Sequence, residues 1–177
     1  PEVDFHVGKK QLKQILEKCI AAHGATGTAE TMDNIKALGY KYSTRAAMTV
    51  SISDMTVPEA KKDILAEAQK TVELITDKFN MGLLTEEERY KAVINTWYAA
   101  DNQLTEALMS GLDRYNNIFM MADSGARGSQ AQIKQLAGMR GLMADTSGRT
   151  IELPIKSNFR EGLDVLEYFI SAHGARK

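Results

Sequence analysis

A polar, glycine-rich turn is the part of this sequence best suited to contact a ligand. It reads Asp123-Ser124-Gly125-Ala126-Arg127-Gly128-Ser129. Its glycines let the backbone approach a ligand closely, and Ser129 can cap a following helix. The guanidinium group of Arg127 is always charged, and its planar N–H donors match phosphate oxygens. Composition alone also fits, and favours, an ordinary turn with a solvated arginine. On the residues by themselves, both interpretations stay open.

Metal binding and nucleophilic catalysis have little support in the sequence. Cys19 and His23 are one helical turn apart and could share a metal, but two ligands do not complete a zinc site and no second pair is evident. We interpret them as a small core thiol beside a histidine and predict no metal site. The sequence contains no nucleophile elbow, Walker loop, dinucleotide fingerprint or His-Glu-x-x-His motif. No catalytic residue is therefore predicted.

The composition is typical of a globular protein, with 177 residues, 44% hydrophobic and 25% charged. No apolar run approaches the roughly 20 residues that span a bilayer, and the one cysteine fits a reducing compartment, so we predict a cytoplasmic protein with no membrane partner. A net charge of −1 argues against a protein that binds nucleic acid through net positive charge. Pro1 in place of an initiator methionine, and the abrupt ending at Lys177, lead us to expect an excised fragment.

Hydrophobic spacing predicts the elements of the first third of the chain. Apolar residues at helical spacing indicate a helix over 9–23 with Gly24 as its C-cap, and a second helix over 28–38 that ends at Gly39. Over 48–53 the apolar residues alternate with polar ones, which is the two-residue period of a half-buried strand.

Two long helices dominate residues 58–112. Pro58 suits a helix start, and Thr85 with Glu88 forms a capping box for the second helix after a short break. Helices joined by about five residues must lie antiparallel, with their apolar seams in contact. We therefore predict a protruding helical hairpin with Trp97 on its seam.

The tip of this hairpin is a candidate docking surface. Gly82, Leu83 and Leu84 lie at the turn, and exposed leucines on a tip without a partner would be unusual. Residues 58–112 hold six basic and ten acidic groups, which suits a basic protein partner. The alternative is a coiled-coil arm that only braces a larger assembly.

The last third of the chain is predicted to be helical around short turns. Helices are expected over 112–123 and from residue 130, an extended piece over 150–154, and a final helix that opens at an Asn158 capping box and runs to the end. This last helix has apolar residues around most of its circumference, and it also contains Gly162 and Gly174, which weaken a helix. We therefore expect it either to be buried in a larger body or to bend at its glycines. The fold class expected is mainly α with a small β element, a long antiparallel hairpin protruding from a helical body.

Two long stretches resemble the β′ subunit family of bacterial RNA polymerases, the largest catalytic subunit. The first runs from Met120-Met121-Ala122-Asp123-Ser124-Gly125-Ala126-Arg127-Gly128-Ser129 to Gly141-Leu142-Met143-Ala144. The second includes Asn158-Phe159-Arg160-Glu161-Gly162-Leu163 and ends with His173-Gly174-Ala175-Arg176-Lys177. The other predicted elements follow the same order as in that family, so the resemblance covers essentially the whole chain.

The resemblance implies a role for each segment. Residues 1–57 resemble the pore region beside the secondary channel, through which nucleotides enter, and 58–112 resemble the rim helices at its mouth, where regulatory factors dock. Residues 113–177 resemble the funnel, a supporting loop and the first half of the bridge helix. Arg127 matches the arginine that contacts the triphosphate of the incoming nucleotide. Bending of the bridge helix is implied at Gly162, His173 and Gly174.

The resemblance also implies partners and a cofactor. The intact enzyme uses Mg²⁺, but the family's Asn-Ala-Asp-Phe-Asp-Gly-Asp motif and its trigger loop are absent from this sequence, so this chain alone is expected to be inactive. Expected partners are the β, α, ω and σ subunits, template DNA, RNA and factors that enter the secondary channel. The expected location is the bacterial cytoplasm, on the nucleoid. The competing hypothesis is a stand-alone helical-hairpin adaptor without catalysis.

Overall fold

The structure, a computed structural model, describes residues 3–175, and the side chains of 173–175 lie outside that description. The chain folds into two compact units. The first contains Pro1–Asp54 and Arg114–Ser129, and the second contains Met55–Asp113 and Gln130–Lys177. The three segments predicted from the sequence are defined by their roles in an enzyme, and those roles stay predictions.

Six α-helices occur in the described part of the chain: α1 Lys9–Arg45, α2 Lys61–Asn80, α3 Glu86–Gly111, α4 Asn117–Asp123, α5 Gln130–Ala137 and α6 Val165–Ala175. No sheet accompanies them in residues 3–175, where β pairing is confined to two isolated antiparallel bridges, Gly141 with Ile155 and Ala144 with Thr150. The expectation of a mainly helical fold is confirmed. None of these helices combines the length and apolar character needed to cross a bilayer.

In the first unit, α1 is two helices joined at a kink. Gly24 has φ 69° and ψ −174°, a conformation that side chains rarely adopt, so the predicted break at Gly24 is confirmed. The predicted end at Gly39 is wrong, because the helix continues to Arg45. A glycine inside an exposed helix costs only about 1 kcal/mol relative to alanine, and no proline follows to stop the hydrogen-bond ladder.

The strand predicted over 48–53 does not form. Ile52–Asp54 is instead a short 3-10 turn, and the Asp54 carboxylate accepts a 2.7 Å hydrogen bond from the Ser51 backbone N–H. Val50 and Ile52, expected on a buried face, are 51% and 69% exposed. An alternating pattern makes a strand only beside a partner strand, and here local side-chain bonds hold the backbone in a turn.

The predicted helical hairpin is the core of the second unit. The seam of α2 and α3 buries Ala68, Val93, Trp97 and Ala100, with partly buried aliphatic side chains packed around them. The predicted capping box is also confirmed, since Thr85 accepts from the Glu88 backbone and Glu88 accepts from the Thr85 backbone.

Residues 130–162 pack against this hairpin. Ile133 and Ala137 of α5 are 3% and 2% exposed, and Met139 and Ile155 are fully buried. Leu104 and Leu108, on the carboxyl half of α3, are buried as well. The second unit therefore buries apolar side chains from both the hairpin and the later segment, and Leu142 of that segment packs against the seam.

The final helix starts later than expected. Asn158 and Glu161 exchange the predicted capping hydrogen bonds, but they close a turn, and α6 begins only at Val165. Gly162 lies in that turn with φ 87°, outside the helix. The Glu167 side chain accepts hydrogen bonds from the Lys156, Ser157 and Asp164 backbone N–H groups, and so fixes the late start. The prediction that the helix opens at Asn158 is wrong.

Candidate functional site

The loop that carries Arg127 follows α4. Asn116 caps this helix by accepting hydrogen bonds from the Ile118 and Phe119 backbone N–H groups at 3.0 and 3.3 Å. Beyond the helix the Arg127 N–H donates to the Met121 carbonyl at 3.3 Å. The chain therefore folds back on α4, and the predicted turn is confirmed.

Two glycines shape the loop, and one is needed for close packing. Gly125 and Gly128 have φ values of 73° and 90°. A Cβ built on Gly125 would lie 3.0 Å from the Lys9 Cβ, which is closer than ordinary contact. The loop thus passes close to the first residue of α1 because position 125 has no side chain.

Arg127 itself points its charge at solvent. Its side chain is exposed and forms no salt bridge with any side chain in the range 3–172. A guanidinium without an internal carboxylate can offer its planar fork to an external anion, and it matches phosphate or carboxylate oxygens in two-point geometry. The arrangement is suited to binding an anionic ligand.

The hairpin tip is apolar and acidic. Gly82 adopts φ 76° in the turn, and Leu83 and Met81 are 69% and 73% exposed. Leu84 was expected to be equally exposed and is half-buried. The tip thus presents hydrophobic side chains immediately before the acidic start of α3.

The acidic residues that open α3 have lowered pKa values. Hydrogen bonding to the Arg89 side chain lowers the pKa of Glu86, and hydrogen bonding to Lys91 lowers the pKa of Glu87. The Thr85 backbone N–H, followed by its hydroxyl, lowers the pKa of Glu88. These three carboxylates are therefore ionised at neutral pH, and the tip carries negative charge there.

Arg89 joins the tip end of α3 to a distant segment. Its guanidinium donates to both carboxylate oxygens of Glu152, at 2.7 and 3.0 Å, and also to Glu86. Hydrogen bonds to these two acids raise the pKa of Arg89 above its usual value. Tyr90 adds a 2.9 Å hydrogen bond from its hydroxyl to the Thr150 carbonyl.

Three further polar contacts fasten the hairpin, and sequence reasoning missed all of them. Lys61, buried at the start of α2, pairs with Glu161 at 2.6 Å, and Lys134 pairs with Asp101 at 2.7 Å. Lys156 donates to Gln69 at 2.9 Å and lies 5.2 Å from the centre of the Trp97 ring. Partners this far apart in sequence leave no periodic signal.

Cys19 and His23 line an apolar cavity of about 410 Å³ in the first unit, with Val3, Phe5 and Ile15 among its walls. The Cys19 thiol is half-buried and lies 3.8 Å from the Thr31 hydroxyl. Among the side chains of residues 3–172, no group of three or more His, Cys, Asp or Glu is placed to hold a metal ion.

The three residues predicted to form a hinge lie at opposite ends of α6. Gly162 is in the turn before the helix, and Gly174 is near its last residue. The His173 side chain lies outside the described part of the chain. Bending at these positions stays a prediction.

Comparison with known proteins identifies the family. Residues 84–160 match the family described as RNA polymerase Rpb1, domain 4, and residues 4–55 match RNA polymerase Rpb1, domain 3. The chain is 79% identical over 176 residues to the DNA-directed RNA polymerase subunit beta′ of Lachnoclostridium phytofermentans, covering 99% of this chain and 14% of that protein. It is 58% identical to the subunit beta′ of Acetivibrio thermocellus and 59% identical to that of Clostridioides difficile, with 99% of this chain and 15% of each relative covered.

These matches span the chain, although it corresponds to only a small part of its relatives' length. The resemblance inferred from the loop and the final segment is therefore confirmed, and a stand-alone adaptor is not favoured. The chain belongs to the family of the DNA-directed RNA polymerase β′ subunit.

Proposed function

We propose that this chain lines the nucleotide-entry channel of a DNA-directed RNA polymerase and positions the incoming nucleoside triphosphate through Arg127. The observation that carries the proposal is the exposed guanidinium of Arg127 on a glycine-shaped loop, with no salt bridge to a described residue. A guanidinium of this kind binds phosphate oxygens in two-point geometry, so a polyphosphate is a ligand that it fits. The relatives, which are polymerase subunits by name, support a nucleotide as the source of that polyphosphate.

The test is RNA synthesis by polymerase assembled with the complete subunit carrying Arg127→Ala, measured across nucleotide concentrations. Loss of a charged hydrogen bond, worth about 1.5–3 kcal/mol, should raise the apparent KM for nucleotide by roughly 10- to 150-fold. Saturating nucleotide should restore much of the rate. Arg114→Ala, which removes another exposed arginine from the same unit, is the matched control and should leave the KM unchanged. Wild-type nucleotide kinetics in Arg127→Ala would leave this segment as scaffold only.

We also propose that the hairpin tip docks protein factors that enter the same channel. Support comes from exposed Met81 and Leu83 beside the ionised carboxylates that open α3. An apolar tip edged with negative charge suits a partner with a hydrophobic pocket and basic surroundings.

Leu83→Ser tests this docking role without disturbing the hairpin core, because Leu83 is 69% exposed. The polymerase should keep its basal rate and require several-fold more of a secondary-channel factor for half-maximal response, as expected on loss of an apolar contact. Leu74→Ser, a 61% exposed leucine on α2 away from the turn, is the control. Equal factor responses in the two variants would exclude the tip as the docking point.

The remaining features of the intact enzyme are part of the same proposal. Mg²⁺ would be bound by residues other than these, since the described residues offer no cluster of metal ligands. The other polymerase subunits, template DNA and RNA would be partners, and the cytoplasmic nucleoid would be the location. The family membership of the chain supports each of these assignments.

A further inference from the structure

The helix that leads into the Arg127 loop has weak support of its own. α4 has seven residues, and none of them is fully buried. Helices shorter than about 12 residues are marginal in water unless tertiary contacts hold them. Because apolar burial is incomplete, the position of α4 depends on polar contacts at its ends.

Asn116 supplies two such contacts at once. Its side-chain oxygen accepts from the first N–H groups of α4, at 3.0 and 3.3 Å. Its side-chain amide donates to the Asp54 carbonyl at 2.7 Å. One side chain therefore caps the helix and ties it to the 3-10 turn that ends at Asp54.

The turn has a hydrogen bond of its own, and α4 makes a second contact with the residues just before it. The Asp54 carboxylate accepts from the Ser51 N–H at 2.7 Å, and the Asn117 amide donates to the Thr49 carbonyl at 2.6 Å. At the other end of α4, the loop is limited by the close approach of Gly125 to Lys9. The helix and its loop are thus fixed from both ends within one compact unit.

We propose that Asn116 is a positioning residue for nucleotide binding, which acts through α4 to place Arg127. This proposal rests on the proposed function of Arg127. The capping oxygen keeps α4 helical, whereas the hydrogen bond from the side-chain amide to the Asp54 carbonyl holds the start of the helix against the 3-10 turn. Loss of this hydrogen bond leaves the exposed contact between Asn117 and Thr49 to hold that end of α4, so the helix shifts and misplaces a guanidinium eleven residues further on.

Asn116→Ser separates the two contacts. Serine is a good N-cap, so α4 keeps its start, but its short uncharged side chain cannot replace the amide that reaches the Asp54 carbonyl. In polymerase assembled with the complete subunit, the apparent KM for nucleotide should rise about 3- to 10-fold, in line with one uncharged hydrogen bond. The maximal rate should stay within about twofold of wild type, which a general loss of folding would not allow.

A double variant identifies the route of the effect. If Asn116 acts through Arg127, Asn116→Ser should add little to the KM of Arg127→Ala. The proposal would be overturned if the rise in KM of the double variant equalled the product of the rises in the two single variants. A fall in maximal rate without a change in KM would also overturn it. Asn95→Ser, an exposed asparagine in α3, is the matched control and should keep wild-type kinetics.

Two further measurements, on Asn116→Asp and on Arg127→Ala, distinguish failure of the positioning role from failure of the proposed function. Should Asn116→Ser fail to assemble, Asn116→Asp keeps a strong cap and also lacks the amide donor, and it should show the same rise in KM. If Arg127→Ala raises the KM while neither Asn116 variant does, only the positioning role is wrong. If Arg127→Ala has no effect, the proposed function and the positioning role fail together.

Discussion

The two compact units of this chain are held together in different ways. In the second unit, α3 alone buries five residues, among them Trp97, Leu104 and Leu108. In the first unit, α1 has 37 residues and buries only Thr28, and α4 buries none. Apolar packing therefore positions the hairpin, whereas glycine conformations and side-chain hydrogen bonds determine the local geometry around the Arg127 loop.

This difference has a consequence for how each unit tolerates change. A core of interlocking side chains resists displacement from many directions at once, so single polar substitutions at its surface have small effects. A segment positioned by a few hydrogen bonds moves when one of them is lost. The kinetic predictions for Arg127 and Asn116 are tests of this second kind of positioning, and the two stability predictions below test the first.

The largest stability effect is expected from Trp97→Ala. Trp97 is 3% exposed at the centre of the hairpin seam, and removing a buried aromatic ring costs about 3–5 kcal/mol. Urea unfolding of the 177-residue chain should show this loss in the transition of the second unit. Tyr42→Ala, in α1 of the first unit, is the counterpart; Tyr42 is 54% exposed, and its loss should change stability by no more than about 0.5 kcal/mol.

Equal costs for these two substitutions would remove the distinction between the units. A small cost for Trp97→Ala would mean that the seam is not the centre of the core. A large cost for Tyr42→Ala would mean that α1 is packed more closely than its exposure indicates.

A smaller effect is expected from Glu161→Gln, which removes the negative partner of a buried lysine. The Lys61 side chain is 8% exposed and pairs at 2.6 Å with Glu161, which is 41% exposed, so an ammonium without its carboxylate would remain at a largely buried position. Gln keeps the oxygen that accepts from the Asn158 N–H, so the turn itself should persist. The expected cost is about 1–3 kcal/mol, read from urea unfolding.

Glu87→Gln is the matched control for that measurement. It breaks an ion pair with Lys91 of similar length, 2.7 Å, in which both side chains are exposed to solvent. Exposed pairs of this kind add little to stability, so no measurable change is expected. If both substitutions cost the same, the burial of Lys61 does not determine the strength of its pair.

Much of the second unit could be predicted because its signals are local. The 3.6-residue period of α2 and α3, the break at Gly82 and the capping box at Thr85 all act within a few residues, and each of them formed. The glycine-rich turn around Arg127 was found for the same reason, and the kink at Gly24 follows from the conformational freedom of glycine.

The failures share a different cause. The alternation over 48–53 would need a neighbouring strand, and the capping box at Asn158 would need helical residues directly after it. Each local signal was present, but its expected continuation depended on a neighbour that the tertiary structure did not provide. Asn116 was missed for a related reason: its capping role is local, but its bond to Asp54 spans 62 residues.

The sequence by itself determined the helical class, the hairpin with its cap, the exposed arginine turn and the polymerase family. Only the tertiary structure decided which distant groups meet: Arg89 with Glu152, Lys61 with Glu161 and Asn116 with the Asp54 carbonyl. Period and capping are properties of neighbouring residues and can be read along the chain. The choice of a distant polar partner depends on which surfaces the packed core brings together, and no pattern in the linear sequence records it.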